Sequence, residues 1–256
     1  MLRILVSSFF AAVFSCLAQV QPPGASGVSL GHWHFHSEDR AAHAKFWMDV
    51  FGAKATKVGD LEVYKLPGVF IALNQEKPAG GMQGSTVPSL GLKVRDLDAI
   101  LDRAKAAGAR VSEQSQSNAV ILGPDDIRLE VALDRSLDTS VAANTIRLNV
   151  PDPPAARDWY VKTFGAVAAE GGSALLPGVR LQFTKSATAP SGTKGHVLDH
   201  IGMEISDLRE FTRKLAASGQ KVDLMYLKLP DSGVAIGFVT DPWGTYIELT
   251  EGLVRF

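Results

Sequence analysis

Phe51-Gly52-Ala53 returns as Phe164-Gly165-Ala166, and this echo decides the fold. Each triplet closes a segment of helical periodicity and opens a short apolar stretch, which is where a left-handed glycine ends a helix. Gly108 and Gly219 stand in the same context, so Gly52, Gly108, Gly165 and Gly219 succeed one another at intervals of 56, 57 and 54 residues. A period of that kind marks an internal repeat. The helices are expected at Glu38 to Phe51, Asp96 to Ala107, Pro153 to Phe164 and Asp207 to Ser218, with Pro153-Pro154 suited to a first turn. Ahead of each lies an alternating or apolar strand: Leu30 to His36, Ser89 to Val94, Thr145 to Val150 and His200 to Ile205. Three short strands come after each helix, such as Ala53 to Val58, Leu61 to Leu66 and Val69 to Leu73 in the first copy. The unit is therefore strand, helix, three strands.

The copies also match in pairs. Leu66-Pro67-Gly68-Val69 returns as Leu176-Pro177-Gly178-Val179, Ala106-Ala107-Gly108 as Ala217-Ser218-Gly219, and Gly123-Pro124-Asp125-Asp126 as Asp241-Pro242-Trp243-Gly244. Turn glycines alone would not bring matched neighbours at matched offsets, so the chain reads as two double units. The expected organisation is a signal peptide at 1–18, a linker at 19–27, a first domain of modules 1 and 2 at 28–136, a linker at 137–143, and a second domain of modules 3 and 4 at 144–256.

The signal peptide is read from Arg3 followed by an apolar run from Ile4 to Ala18, then Gln19 and the breakers Pro22-Pro23-Gly24. It implies export, periplasmic or secreted, and no membrane attachment after cleavage; anchoring as a lipoprotein at Cys16 is the alternative. Cys16 is the only cysteine, which excludes a disulfide framework and leaves any metal to His and carboxylates. Twenty-six Lys+Arg against 27 Asp+Glu give no basic field, so a nucleic-acid partner is not expected. No Gly-x-Ser-x-Gly elbow or phosphate-binding glycine loop is present.

The stretches Leu198-Asp199-His200-Ile201 and Asp241-Pro242-Trp243-Gly244-Thr245-Tyr246-Ile247-Glu248-Leu249, set in this repeat, resemble the vicinal oxygen chelate superfamily of glyoxalase I, extradiol dioxygenases and the fosfomycin and bleomycin resistance proteins. The resemblance covers Leu30 to Leu253. It implies an α+β fold in which four tandem βαβββ modules form two curved mixed-sheet half-barrels, with metal ligands on the first and last strand of each module. By that pattern the first-strand positions are His32, Ser89, Thr145 and His200, and the last-strand positions are Ala72, Glu130, Gln182 and Glu248.

Two pairings of modules are open. Adjacent pairing gives one site with His32 and Glu130 and another with Gln182, His200 and Glu248. Outer-with-outer pairing gathers His32, His200 and Glu248 beside Ala72 and leaves Ser89, Glu130, Thr145 and Gln182 in a separate cavity. The second arrangement makes a His-His-Glu metal site for one divalent ion, with Fe(II) or Mn(II) ahead of Zn(II) or Ni(II). His32, His34 and His36 alternate with Trp33 and Phe35, so the imidazoles share one strand face and the aromatics pack under the helix. A cupin would continue in strands, whereas Glu38 onward reads as helix. His34, His36 and Tyr246 are the candidate catalytic groups; Glu204 and Thr250 share the ligand faces, and Met225, Tyr226 and Leu229 lie in an insertion placed to cover a substrate. The expected function is an exported metal-dependent dioxygenase, lyase or isomerase acting on a small oxygen-bearing substrate, with no oligomer required. The alternative is a metal-free protein that sequesters a small molecule against Trp33, Phe70, Tyr226 and Tyr246.

Overall fold

The computed structural model describes residues 20–256, so the expectations for residues 1–18 and Cys16 lie outside it. Among the described residues no helix is long and apolar enough to cross a membrane. The first module runs β1 (Val28–Ser37), α1 (Arg40–Phe51), β2 (Lys54–Val58), β3 (Leu61–Leu66) and β4 (Val69–Gln75). The second is β5 (Ser89–Val94), α2 (Leu97–Ala106), β6 (Arg110–Ser112), β7 (Asn118–Leu122) and β8 (Arg128–Leu133). The third is β9 (Val141–Val150), α3 (Pro153–Phe164), β10 (Val167–Ala169), β11 (Ser173–Leu176) and β12 (Val179–Lys185). The fourth is β13 (Leu198–Ile205), α4 (Leu208–Ala217), β14 (Val222–Lys228), β15 (Ala235–Thr240) and β16 (Tyr246–Glu251). Four strand-helix-three-strand units are thus present.

Each helix begins on an aspartate whose carboxylate accepts an orphan backbone N–H: Asp39 from Ala42, Asp96 from Ala99, Asp152 from Ala155 and Asp207 from Glu210. The first helix therefore starts two residues later than the sequence expectation, after its cap rather than at Glu38. The closing glycines Gly52, Gly108, Gly165 and Gly219 all have φ between 66° and 82°, the left-handed region.

The strands form two eight-stranded mixed sheets, ordered β14-β15-β16-β13-β1-β4-β3-β2 and β10-β11-β12-β9-β5-β8-β7-β6. Each sheet draws one module from each half of the chain. Modules 1 and 4 meet along the antiparallel pair β1 and β13, where His34 stands opposite His200, while modules 2 and 3 meet along β5 and β9, where Ser89 stands opposite Arg147. All eight residues of β13 are buried, as befits the centre of a sheet covered on both faces. One apolar core continues through both sheets and under the helices. Trp33 and Phe35 point into it, with Trp33 6.4 Å and Phe35 5.8 Å from the ring of Trp47 on α1, so the opposite face of β1 carries its histidines. Trp33 is therefore no part of a ligand surface.

Candidate metal centre and active site

The histidine face of β1 meets β13 and β16 in a cavity of about 350 Å³. His32 Nε2 lies 3.0 Å and His200 Nε2 2.8 Å from the same oxygen, Glu248 Oε2. With His34 added, four residues each offer a ligand atom, and those atoms lie within 4.8 Å of one another. The convergence depends on Gly202, which stands opposite His32 in the ladder: a Cβ there would fall inside the His32 imidazole. Glycine lets that ring lie flat across the neighbouring strand.

The remaining contacts fix orientation and charge. Asp199 Oδ2 accepts from His200 Nδ1 at 2.5 Å, and Asp199 Oδ1 from the backbone N–H of Gly195 at 2.5 Å. Burial opposes protonation of His200, but the carboxylates of Asp199 and Glu248, one at each ring nitrogen, outweigh it and lift the imidazole to about 9. Burial would raise Glu248, yet the His32 and His200 imidazoles hold its carboxyl far below the usual range. His34 is pushed down to about 3 by burial and by its neighbours His200 and His32. It is hydrogen-bonded to Asn74, while its Nε2, buried in the cavity, has no partner. In the sheet His34 stands beside Ala72, the ligand position that cannot bind, and the missing side chain leaves room for its ring. The sequence placed His34 on this face but not as a donor equal to the other three.

The other candidates lie elsewhere. His36 keeps the face of His34, their rings 6.2 Å apart, but sits at the end of β1 behind Asp199, the extra residue of a register shift in β13, with Nε2 3.9 Å from Asp199 Oδ1 and 3.6 Å from Glu76 Oε2, away from the cavity wall. Tyr246 stacks on Phe238 at 4.8 Å and stands edge-on to His200 at 5.8 Å, flanking the site from outside the cavity lining. Burial, with Asp199 next, pushes its hydroxyl up to about 12. Glu204 is no cavity group: it accepts from Thr250 Oγ1 at 2.8 Å and from the backbone N–H of Gly252 at 2.7 Å, which ties down the turn carrying Leu253 into the cavity wall. Of the insertion only Leu229 lines the cavity; Met225 is exposed, and Tyr226 lies under the Arg209 guanidinium. Phe70 and Thr250 do line it.

The second sheet repeats this plan with other chemistry. Gly91 opposite Thr145 and beside Glu130 corresponds to Gly202 opposite His32 and beside Glu248. Ser89 and Arg147 take the places of His200 and His34. Ser89 Oγ donates to Glu130 Oε1 at 2.7 Å, and Arg147 donates to both carboxylate oxygens, at 2.8 and 2.6 Å. A guanidinium thus occupies the position that His34 takes in the first sheet.

Residues 142–249 match the model of the Glyoxalase/Bleomycin resistance protein/Dioxygenase superfamily. Those residues carry a domain of this superfamily. Glyoxalase I from Zea mays is similar in structure, at 16% identity and a TM-score of 0.70 over 89% of this chain and 94% of that one. A Bacillus subtilis protein provisionally called a dioxygenase is similar at 14% identity and a TM-score of 0.62, over 87% of this chain and 84% of that one. The cppA protein of Streptococcus pneumoniae is similar at 12% identity and a TM-score of 0.52, over 91% and 99%. At such identities the likeness is one of fold. No curated protein sequence matches the chain. Members of the vicinal oxygen chelate superfamily act on or bind small molecules, and many hold a divalent metal; a His/Glu group is present in this chain.

Proposed function

We propose that the chain is a divalent-metal-dependent enzyme of the vicinal oxygen chelate type, with His32, His200 and Glu248 as ligands and His34 able to take a fourth position. The observation that carries this reading is the convergence of two imidazole nitrogens on one carboxylate oxygen, with the partnerless Nε2 of a third imidazole beside them. The donor set fits. Ligand atoms about 2.0–2.2 Å from one ion and at right angles are about 3 Å apart, close to the 2.8 and 3.0 Å separations here. Imidazole and carboxylate suit Fe(II) or Mn(II), with Zn(II) or Ni(II) as alternatives.

A bound ion supplies Lewis acidity toward two adjacent oxygens of a substrate and stabilises negative charge that develops on them. The protein's part comes from its own side chains. Asp199 orients His200 through Nδ1, as outer carboxylates do for metal-bound histidines. Val63, Phe70, Ile236, Phe238 and Leu253 exclude water and receive an apolar substrate body, since the cavity lining carries no Lys or Arg. His34, neutral and facing the cavity, can accept a hydrogen bond from the bound substrate at Nε2 whenever it is not itself a ligand. Turnover assays on vicinal diols, 2-hydroxy ketones and diketones distinguish dioxygenase, lyase and isomerase chemistry.

The test is elemental analysis after purification with Fe(II) or Mn(II). One ion per chain, lost in His200→Ala, is expected; no bound metal, with the variant indistinguishable, removes the proposal. The apolar walls also favour a second reading, metal-free sequestration of a small molecule, which requires tight ligand binding that is indifferent to a chelator. Export through residues 1–18 belongs to the same proposal, and finding the full-length protein uncleaved in the cytoplasm would remove that part.

A further inference from the structure

We propose that the cavity of the second sheet is a binding site for a small organic carboxylate, held by the guanidinium of Arg180. This cavity measures about 380 Å³ and shares no lining residue with the His-His-Glu cavity. Its wall is polar: Glu130, Asn144, Arg147, Arg180 and Gln182 face one another across β8, β9 and β12. Arg180 stands beside Thr145, and Gln182 beside Arg147, on neighbouring strands, so all four side chains share one face of the sheet.

The charges show which group is available. Glu130 is matched by the two-pronged contact of Arg147. Glu113, at the cavity edge, is matched by Arg128, whose Nη2 lies 2.7 Å from its Oε1. Of the cationic groups lining this cavity, Arg180 alone has no carboxylate partner among the described residues; it donates through Nη1 to Ser173 Oγ at 2.5 Å. Ser173 is fully buried and in turn donates to the carbonyl of Glu170 at 2.8 Å, so one edge of the guanidinium is fixed while its remaining N–H groups are free for a ligand. A fixed planar fork with an uncompensated charge matches the two oxygens of a carboxylate. With Arg128 counted, the cavity balances to a single positive charge, and Glu130 and Glu113 lie close enough to oppose a dianion, which favours a monocarboxylate over phosphate. Asn144 and Gln182 supply amides for the rest of a polar ligand. The two sheets then sort ligands by chemistry, an apolar body in one cavity and a hydrophilic acid in the other.

The test is a titration of the full chain, by calorimetry or amide chemical shifts, with N-acetylglycine, its uncharged amide N-acetylglycinamide, and inorganic phosphate. Saturable binding of the acid, at least about tenfold weaker for the amide and for phosphate, is expected. Arg180→Gln should weaken the acid about tenfold or more, whereas His200→Ala should leave it unchanged, so this result stands apart from that of the metal proposal. Equal binding of acid and amide, phosphate binding more tightly, no saturation, or an unaffected Arg180→Gln would each overturn the assignment; the comparison of acid with amide needs no variant to fold.

Discussion

His43 is fully buried on α1 with no hydrogen bond at either ring nitrogen, stacked on Trp47 and 3.7 Å from Asp125 Oδ2. Burial pushes it from 6.5 down to about 4. The unfolded chain therefore binds this proton more readily than the folded one, so the stability in question is fully present above about pH 6.5 and is lost as pH falls through 4. Linkage puts it at about 3 kcal/mol. Denaturant titrations at pH 7.5 and 4.5 should show His43→Leu losing that much less stability than the parent; parallel losses would show that His43 is not the group responsible. A second residue, Asp199, acts on the site only through His200. Asp199→Asn should cost about 10–100-fold in metal affinity, measured by competition with a chelator, with little effect on folding. Unchanged affinity would remove its positioning role. Neither burial could be read from the sequence, where His43 and Asp199 are single polar letters among apolar ones.

At the scale of elements, the repeat made most of the fold legible. β3, β5 and α3 fall at the expected boundaries, and the others differ by a few residues at their ends. Four recurrences of one pattern constrain each boundary better than any single segment would. Strand alternation also put His32 and His34 on the cavity side and Trp33 in the core. His36 keeps that face too, 6.2 Å from His34, but it lies past the end of the cavity, where it meets Asp199, the extra residue of β13, rather than the ligand atoms. Tyr246 shares the face of Glu248, but it lies at the start of its strand, beyond Phe238, where sharing a face does not amount to lining the cavity. Gly202 carries the sharpest consequence of strand pairing. Gly202→Ala should expel the His32 ring, cutting metal affinity at least about tenfold and costing about 1–3 kcal/mol from overpacking. Retained metal binding and an unshifted thermal midpoint would mean that the two strands do not approach as closely as described.

Across the whole molecule, one architecture is used twice with opposite outcomes. The distribution of intact ligand positions pointed to outer-with-outer pairing, because only that arrangement gathers His32, His200 and Glu248. What the sequence did not disclose is that Arg147 and Ser89 close the corresponding place in the second sheet around Glu130. Burial alone would raise Glu130, and the hydrogen bonds from Arg147 and Ser89 hold it down, so its negative charge is already matched by a cation that cannot leave. A fixed charge at this place has consequences for both sheets. Metal titration should saturate at one ion per chain, with added metal raising the thermal midpoint of the parent and not of His200→Ala, since only a ligand of the folded state stabilises it. Arg147→Met should destabilise the chain by about 1–2 kcal/mol, the cost of leaving a half-buried carboxylate without its partner, and should do so whether or not metal is bound at the first sheet. A second equivalent of metal on the parent chain, or a cost of Arg147→Met that vanishes on metal addition, would show that the two centres are neither closed in this way nor independent.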